Sequence, residues 1–243
     1  MIRWFALSIL ILSMPVALQA QDSETSVNQD SIYPSRYVYS TRPVQIWDFK
    51  AAIGGAITLL PQPLTESPVP APSIDLRARL GLPLNFMAFG RATSNIATSF
   101  VQSGLAWSFV LGDFSAGAGW SAAYMYGNLT FVDGFNTSQH RWLNYPMVTG
   151  TARFDEVILT VRIEAELMTS LTKRIETQTI VSSNNVYTGS SVTIAVEQPF
   201  WKNTQVLFGT TFSFSSNPYQ SWFLYNTFKD RLLSTEFFMA FIL

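Results

Sequence analysis

The chain has no cysteine and one histidine. Without cysteine there is no disulfide framework, no thiol nucleophile and no thiolate metal site. A lipid-anchored cysteine behind an export leader is excluded as well. With His140 as the lone imidazole, a histidine-rich metal site is also ruled out. Charge is scarce, at 13% of residues, about half the roughly 25% of an ordinary soluble domain. The net charge is −1, which leaves no basic surface for nucleic acid. Past the first twenty residues no apolar run approaches the ~20 residues of a membrane-spanning helix. The sequence contains no phosphate-cradling glycine loop and no internal repeat of 20–50 residues. No metal or cofactor site is expected.

What is abundant is apolar and aromatic surface, 48% and 14% of residues, with a mean hydropathy of +0.18. The first residues read as an export leader. Arg3 precedes the apolar stretch Trp4–Leu12, Pro15 breaks it, and Ala20 precedes the polar Gln21-Asp22. This order of charge, apolar core, breaker and small residue is that of a secretory signal peptide, removed after Ala20. Residues 21–43 then form a periplasmic tail or a plug, and residues 44–243 one folded domain.

Two folds fit an exported apolar chain that lacks a second spanning helix: a soluble β-sandwich and a membrane β-barrel. Period-two alternation runs through most of the chain. Trp47, Phe49, Ala51, Ile53, Gly55, Ile57 and Leu59 share one face, as do Ile74, Leu76, Ala78 and Leu80. Asp75, Arg77, Arg79 and Gly81 share the opposite face of the second segment. Val157, Leu159, Val161 and Ile163 oppose Ile158, Thr160, Arg162 and Glu164. The same pattern holds in Ser99–Leu111, Phe114–Tyr126, Val186–Gln198 and Thr204–Phe214. Such segments exceed the ~5–6 residues of common soluble strands and match the ~9–11 of tilted transmembrane strands. Their second face is rich in Gly, Ser, Ala and Thr, as a narrow lumen requires. The expectation is an all-β, transmembrane, antiparallel meander barrel.

The leader, the strand pattern and the ending Phe237-Phe238-Met239-Ala240-Phe241-Ile242-Leu243 together resemble the small outer-membrane β-barrel proteins of Gram-negative bacteria. The resemblance covers about Val44 to Leu243. It implies outer-membrane lipid and lipopolysaccharide as surroundings, and a barrel-assembly machinery that reads the C-terminal strand. Phe237, Met239, Phe241 and Leu243 alternate as that strand should, although members usually end on an aromatic. The resemblance is silent on function.

Such barrels have even strand numbers, short periplasmic turns and longer outer loops. Short turns are expected at Pro83-Leu84, Gly112-Asp113, Asp155-Glu156 and Pro199–Asn203. Longer connections are expected at Pro61–Ser73, Gly127–Arg141, Thr172–Asn185 and Ser215–Arg231, with a tight one at Asn95–Thr98. Ten strands result if Ser215–Arg231 is one outer loop; twelve is the alternative, with a strand from Tyr33–Thr41. The dense prolines at Pro61–Pro72 imply an extended, stiff first loop.

By parity a set of charges points into the lumen: Asp48, Lys50, Asp75, Arg77, Arg79, Arg91, Arg153, Arg162, Glu164, Glu166, Glu197 and Glu236. Acids and bases balance, so the expectation is a charge-paired, largely filled interior. The alternative is a charged constriction in a narrow porin-like channel or small-solute transporter. Asp48 and Lys50 beside Asp75, Arg77 and Arg79 make the densest cluster. Trp47, Trp107, Trp120, Tyr124, Trp142 and Trp201, with Tyr126 and Tyr145, lie at strand ends or outward positions, as interface aromatics do. Ser138-Gln139-His140 places a hydroxyl and the imidazole in one predicted loop with Asp133. No acid partner completes a catalytic set, so a solvated loop histidine is the better reading. The segment with Tyr219, Trp222, Phe223 and Tyr225 is either an aromatic outer loop, suited to folding inward, contacting lipopolysaccharide or binding an extracellular partner, or a further strand. The function implied is a non-enzymatic envelope protein with a structural or surface-interaction role.

Overall fold

The computed structural model describes residues 37–67, 69–130, 136–175, 178–182, 186–201, 204–223 and 231–243. The chain divides into two units, Met1–Pro34 and Ser35–Leu243. The expected leader, residues 1–20, lies outside the described residues.

The second unit is built from strands β1 (Phe49–Leu59), β2 (Pro70–Gly81), β3 (Phe86–Ser94), β4 (Thr98–Leu111), β5 (Phe114–Asn128), β6 (Thr137–Phe154), β7 (Val157–Ile175), β8 (Gln178–Ser182), β9 (Val186–Trp201), β10 (Thr204–Ser215) and β11 (Leu232–Ile242). Chain neighbours pair antiparallel, except that β8 and β9 each pair with β7, and β1 pairs with β11 to close the ring. β8 and β9 occupy one wall position in succession, because both pair with β7 at different heights. The wall therefore has ten strands. Closure leaves the ten-strand ring itself without an edge; β8, beyond the ring at the loop end, pairs with β7 alone among the described residues.

Alternation turns this ring inside out. Ile53, Leu76, Val101, Ile163, Ile194 and Phe237 face outward and are exposed. Ala52, Asp75, Arg77, Gln102, Arg162 and Thr193 face inward and are buried. The C-terminal strand follows the same rule, with Phe237, Met239 and Phe241 out and Phe238, Ala240 and Ile242 in. No helix among the described residues is long and apolar enough to cross a membrane.

Short turns gather at one end of the barrel, here the turn end, at residues 82–85, 112–113 and 155–156. Lys202 and Asn203 lie outside the described residues. At the opposite loop end the sequence reading needs correction. The connections expected at Gly127–Arg141 and Thr172–Asn185 are largely strand. β5 and β6 pair up to Asn128↔Ser138, and β7 continues to Ile175 with β8 as its hairpin partner. Above the apolar belt neither face of a strand must be apolar, so the alternation that marks a strand disappears while the ladder persists. The proline-rich first loop is also shorter than expected. It carries one helical turn, α1 (Gln62–Thr65), and β2 starts at Pro70. Asn95–Thr98 is tight, as expected; the Asn95 side chain accepts from the amides of Ala97 and Thr98 at 2.9 and 2.7 Å.

The twelve-strand alternative is ruled out, because Tyr37–Thr41 carries no strand. Tyr219–Ser221 is a 3-10 turn rather than wall; residues 224–230 of that segment lie outside the described residues.

Candidate functional site: the closed lumen

The lumen is filled from its middle outward. Asp75 on β2 is fully buried and receives Arg77 Nε at 2.7 Å and Arg91 Nε at 2.8 Å. Arg91 then reaches across the seam, donating from Nη2 to Glu236 on β11 at 2.6 Å. Thr58 on β1 also donates to Glu236, at 3.4 Å. Four strands are thereby cross-linked through their inward faces, each carboxylate held by more than one donor. A charge in a low-dielectric interior needs such multiple partners. Gly209 opposite Phe238 leaves room for this layer. A Cβ there would overlap the Phe238 ring, over which the Arg77 guanidinium lies at 3.8 Å.

The floor, at the turn end, is made by the chain entering β1. Val38, Tyr39, Ser40 and Thr41 are buried inside the barrel. Glu197 on β9 accepts three successive amides, from Val38 at 2.6 Å, Tyr39 at 2.9 Å and Ser40 at 2.8 Å. Arg79 on β2 donates to the carbonyls of Ser40, at 2.5 Å, and Arg42. Two guanidinium groups lie over the Tyr39 ring, Arg162 at 4.2 Å and Arg77 at 5.2 Å from its centre. Phe238 meets it at 6.1 Å between ring centres. The Thr41 amide donates to Thr151 at 3.2 Å, its hydroxyl meets Ser115 at 3.3 Å, and Arg42 donates to the Gly112 carbonyl at 2.7 Å.

The lid, at the loop end, comes from the chain between β10 and β11. Trp222 turns inward and is buried. Its indole N–H donates to Thr98 Oγ1 at 2.8 Å, and the ring packs with Phe100, Met125, Leu143 and Met168. Gly127 makes this approach possible, since a Cβ there would overlap the indole. Asn95 donates to Gln220 at 2.7 Å, and Arg141 donates to the Asn217 carbonyl at 2.6 Å. Lys173, above the belt, donates to the Trp222 carbonyl at 3.3 Å. Burial lowers its pKa from the ordinary lysine value.

Between floor and lid remains a cavity of about 70 Å³. It is lined by Arg91, Tyr145, Glu164, Glu166, Glu236 and several hydroxyls. Glu166 accepts from Thr188 at 2.6 Å and Ser215 at 2.9 Å, with the Tyr145 hydroxyl at 3.5 Å. Glu164 accepts from Ser191 at 3.5 Å.

The residues singled out from the sequence divide accordingly. Asp75, Arg77, Arg91 and Glu236 form one linked set; Arg79, Arg162 and Glu197 hold the floor; Glu164 and Glu166 face the cavity. Asp48 and Lys50 pair with each other at 2.9 Å nearer the turn end, outside the Asp75 set. Arg153 sits at the turn end, donating to its own turn at Asp155 O, 2.9 Å. Trp47, Trp107, Trp120, Trp142 and Trp201 are exposed on the outside, and Tyr124 packs on Trp142 with ring centres 4.9 Å apart.

Two residues require correction. Tyr145 is a lumen residue, not an interface aromatic. It lies three positions from outward Trp142, and an odd spacing in a strand reverses the face. His140 lies within β6, not in a loop; it is exposed and stacks on Tyr124 at 6.5 Å. Asp133 lies outside the described residues. Arg141, next to His140, and Lys173 are inward charges absent from the set that the sequence pattern points into the lumen. Both lie where the alternation has faded, so no parity marks them as inward.

No family model matches the chain, and no curated protein matches it. Solved structures do. Neisserial surface protein A is 8% identical with a TM-score of 0.38, covering 80% of this chain and 94% of its own. The attachment invasion locus protein Ail of Yersinia pestis is 9% identical with a TM-score of 0.37, covering 82% and 100%. The translocator domain of the autotransporter NalP from Neisseria meningitidis is 8% identical with a TM-score of 0.33, covering 80% and 86%.

Proposed function

We propose that this chain is an integral protein of the bacterial outer membrane with a sealed lumen. It is non-enzymatic and acts as a structural or surface-interacting element of the envelope. Residues 1–20 are its export leader. Its surroundings are lipid and lipopolysaccharide, and its C-terminal strand is the handle for the assembly machinery. The outward apolar belt supports the membrane placement, because a closed barrel is the one sheet that lipid tolerates. The single observation that carries the sealed reading is the double closure of the lumen, by Val38–Thr41 at the turn end and Trp222 at the loop end. A cavity of about 70 Å³ between them has room for a few ordered waters. It is not a path for solutes.

The test is planar-bilayer recording with purified protein. The expected trace is silent at moderate voltage. Stable open-channel steps would refute the sealed reading and restore the narrow channel as the better one.

A further inference from the structure

We infer that the floor of the lumen is a peptide-binding site, occupied in cis by Val38–Arg42. The inference rests on the sealed-lumen reading and deepens it by naming what the lumen recognises: a bent peptide, turned at Val38 and Tyr39, with an aromatic anchor.

The first reason is the kind of bond. Among the described residues, positions 37–42 make no backbone–backbone hydrogen bond to the wall. Every strand of the wall is held by a ladder, but this segment is held by side chains alone. It can therefore leave without unpairing any strand.

The second reason is what those side chains address. Glu197 gathers three consecutive amides, and Arg79 reaches two carbonyls two residues apart. These contacts read the main chain of a peptide bent at Val38 and Tyr39, which turns its successive amides toward one carboxylate; they involve no side chain of the peptide. Selectivity comes from one place, the position under Arg77 and Arg162 that takes the Tyr39 ring. Two guanidinium groups within about 6 Å of one ring favour an aromatic side chain there by cation–π attraction. Main-chain capture plus one side-chain pocket is how grooves recognise peptides in general.

The third reason is surplus donor capacity. Arg79 Nε, Arg77 Nη2 and Arg162 Nε are buried without a partner among the described residues. A perfectly matched internal plug would leave no such donors, because each unmet one carries a desolvation cost. The site therefore offers more than its resident segment uses.

The test uses the full chain. A protease site inserted between Val44 and Gln45 is cut after folding, leaving the segment in place without a covalent link. A fluorescent peptide spanning residues 37–44 is then added. The cut protein is expected to exchange its segment for the labelled peptide saturably, and the uncut protein to take up little. The same peptide carrying Tyr39→Ala should bind about tenfold or more weakly. A Glu197→Gln barrel should lose a similar factor. In this cysteine-free chain, oxidised Thr41→Cys with Thr151→Cys should pin the segment and abolish exchange. A cut protein that keeps its segment and never exchanges it overturns the proposal, since the segment is then part of the fold. Loss of the segment with no uptake overturns it too. Conductance of the uncut protein, recorded from the same preparation, separates the two readings. Channel steps there refute the seal and leave the peptide result standing.

Discussion

Asp75→Asn is the sharpest probe of the lumen. The substitution keeps the volume but removes the charge and turns one acceptor into a donor. Asp75 is fully buried and holds two arginines through separate oxygens, at 2.7 and 2.8 Å. In the variant one Arg Nε keeps an oxygen and the other faces an amide N–H. Removing one partner of a buried pair costs about 3–5 kcal/mol, because the remaining charge is stranded. Two features reduce that here. Arg91 retains Glu236 at 2.6 Å, and Arg77 retains the Phe238 ring at 3.8 Å, a contact worth about 1–2 kcal/mol when desolvated. The net expectation is a loss of about 2–3 kcal/mol. It is read as the shift in urea midpoint for reversible unfolding from phospholipid vesicles. The double variant Asp75→Asn with Arg77→Met removes the stranded cation. It should recover part of the loss, because a buried pair replaced by apolar groups is often near neutral. A single variant within about 0.5 kcal/mol of wild type, or a double variant worse than the sum of its parts, would refute the account of the lumen as a mutually dependent charge set.

The other predictions concern the lid, the belt and the histidine. Gly127→Ala forces the Trp222 ring to move and should cost about 1–3 kcal/mol. Its marker is faster hydrogen exchange at the Trp222 indole N–H, and an unchanged exchange rate would show that Gly127 does not support the lid. Ile53→Arg, on the outward face near mid-height of β1, should cost about 2–4 kcal/mol in vesicles. Ile96→Arg, 89% exposed in the β3–β4 turn, should stay within about 0.5 kcal/mol. Equal costs at the two positions would contradict the lipid belt. His140→Ala should leave the unfolding midpoint unchanged within about 0.5 kcal/mol, and neither protein should hydrolyse phospholipid vesicles. Hydrolysis by wild type that is lost in the variant would reinstate a catalytic role.

Where the chain is lipid-facing, its structure was legible in the sequence. The inward Asp75-x-Arg77-x-Arg79 and outward Ile74-x-Leu76 follow from period two alone, and ten strands followed once Ser215–Arg231 was taken as one connection. The same signal failed above the belt. Thr137–Arg141 and Thr172–Ile175 are strands without an apolar face, so Arg141 and His140 were read as loop residues. Tyr145 shares its residue type with the interface aromatics, but its odd spacing from Trp142 places it inside.

By itself the sequence determined the inside-out barrel. Alternation sorts residues onto two faces, and a scarcity of charge over long strands leaves lipid as the solvent for one of them. Neither property needs knowledge of what lies across the lumen. The closure of that lumen was decided only by tertiary structure. Glu197 meets the amides of Val38–Ser40 from more than 150 residues away, Arg91 reaches Glu236 across 145, and Trp222 meets Thr98 across 124. No local pattern encodes such distances, because they are set by the curvature that brings the first strand against the last. Parity reports which way a side chain points; the ring decides what it meets there.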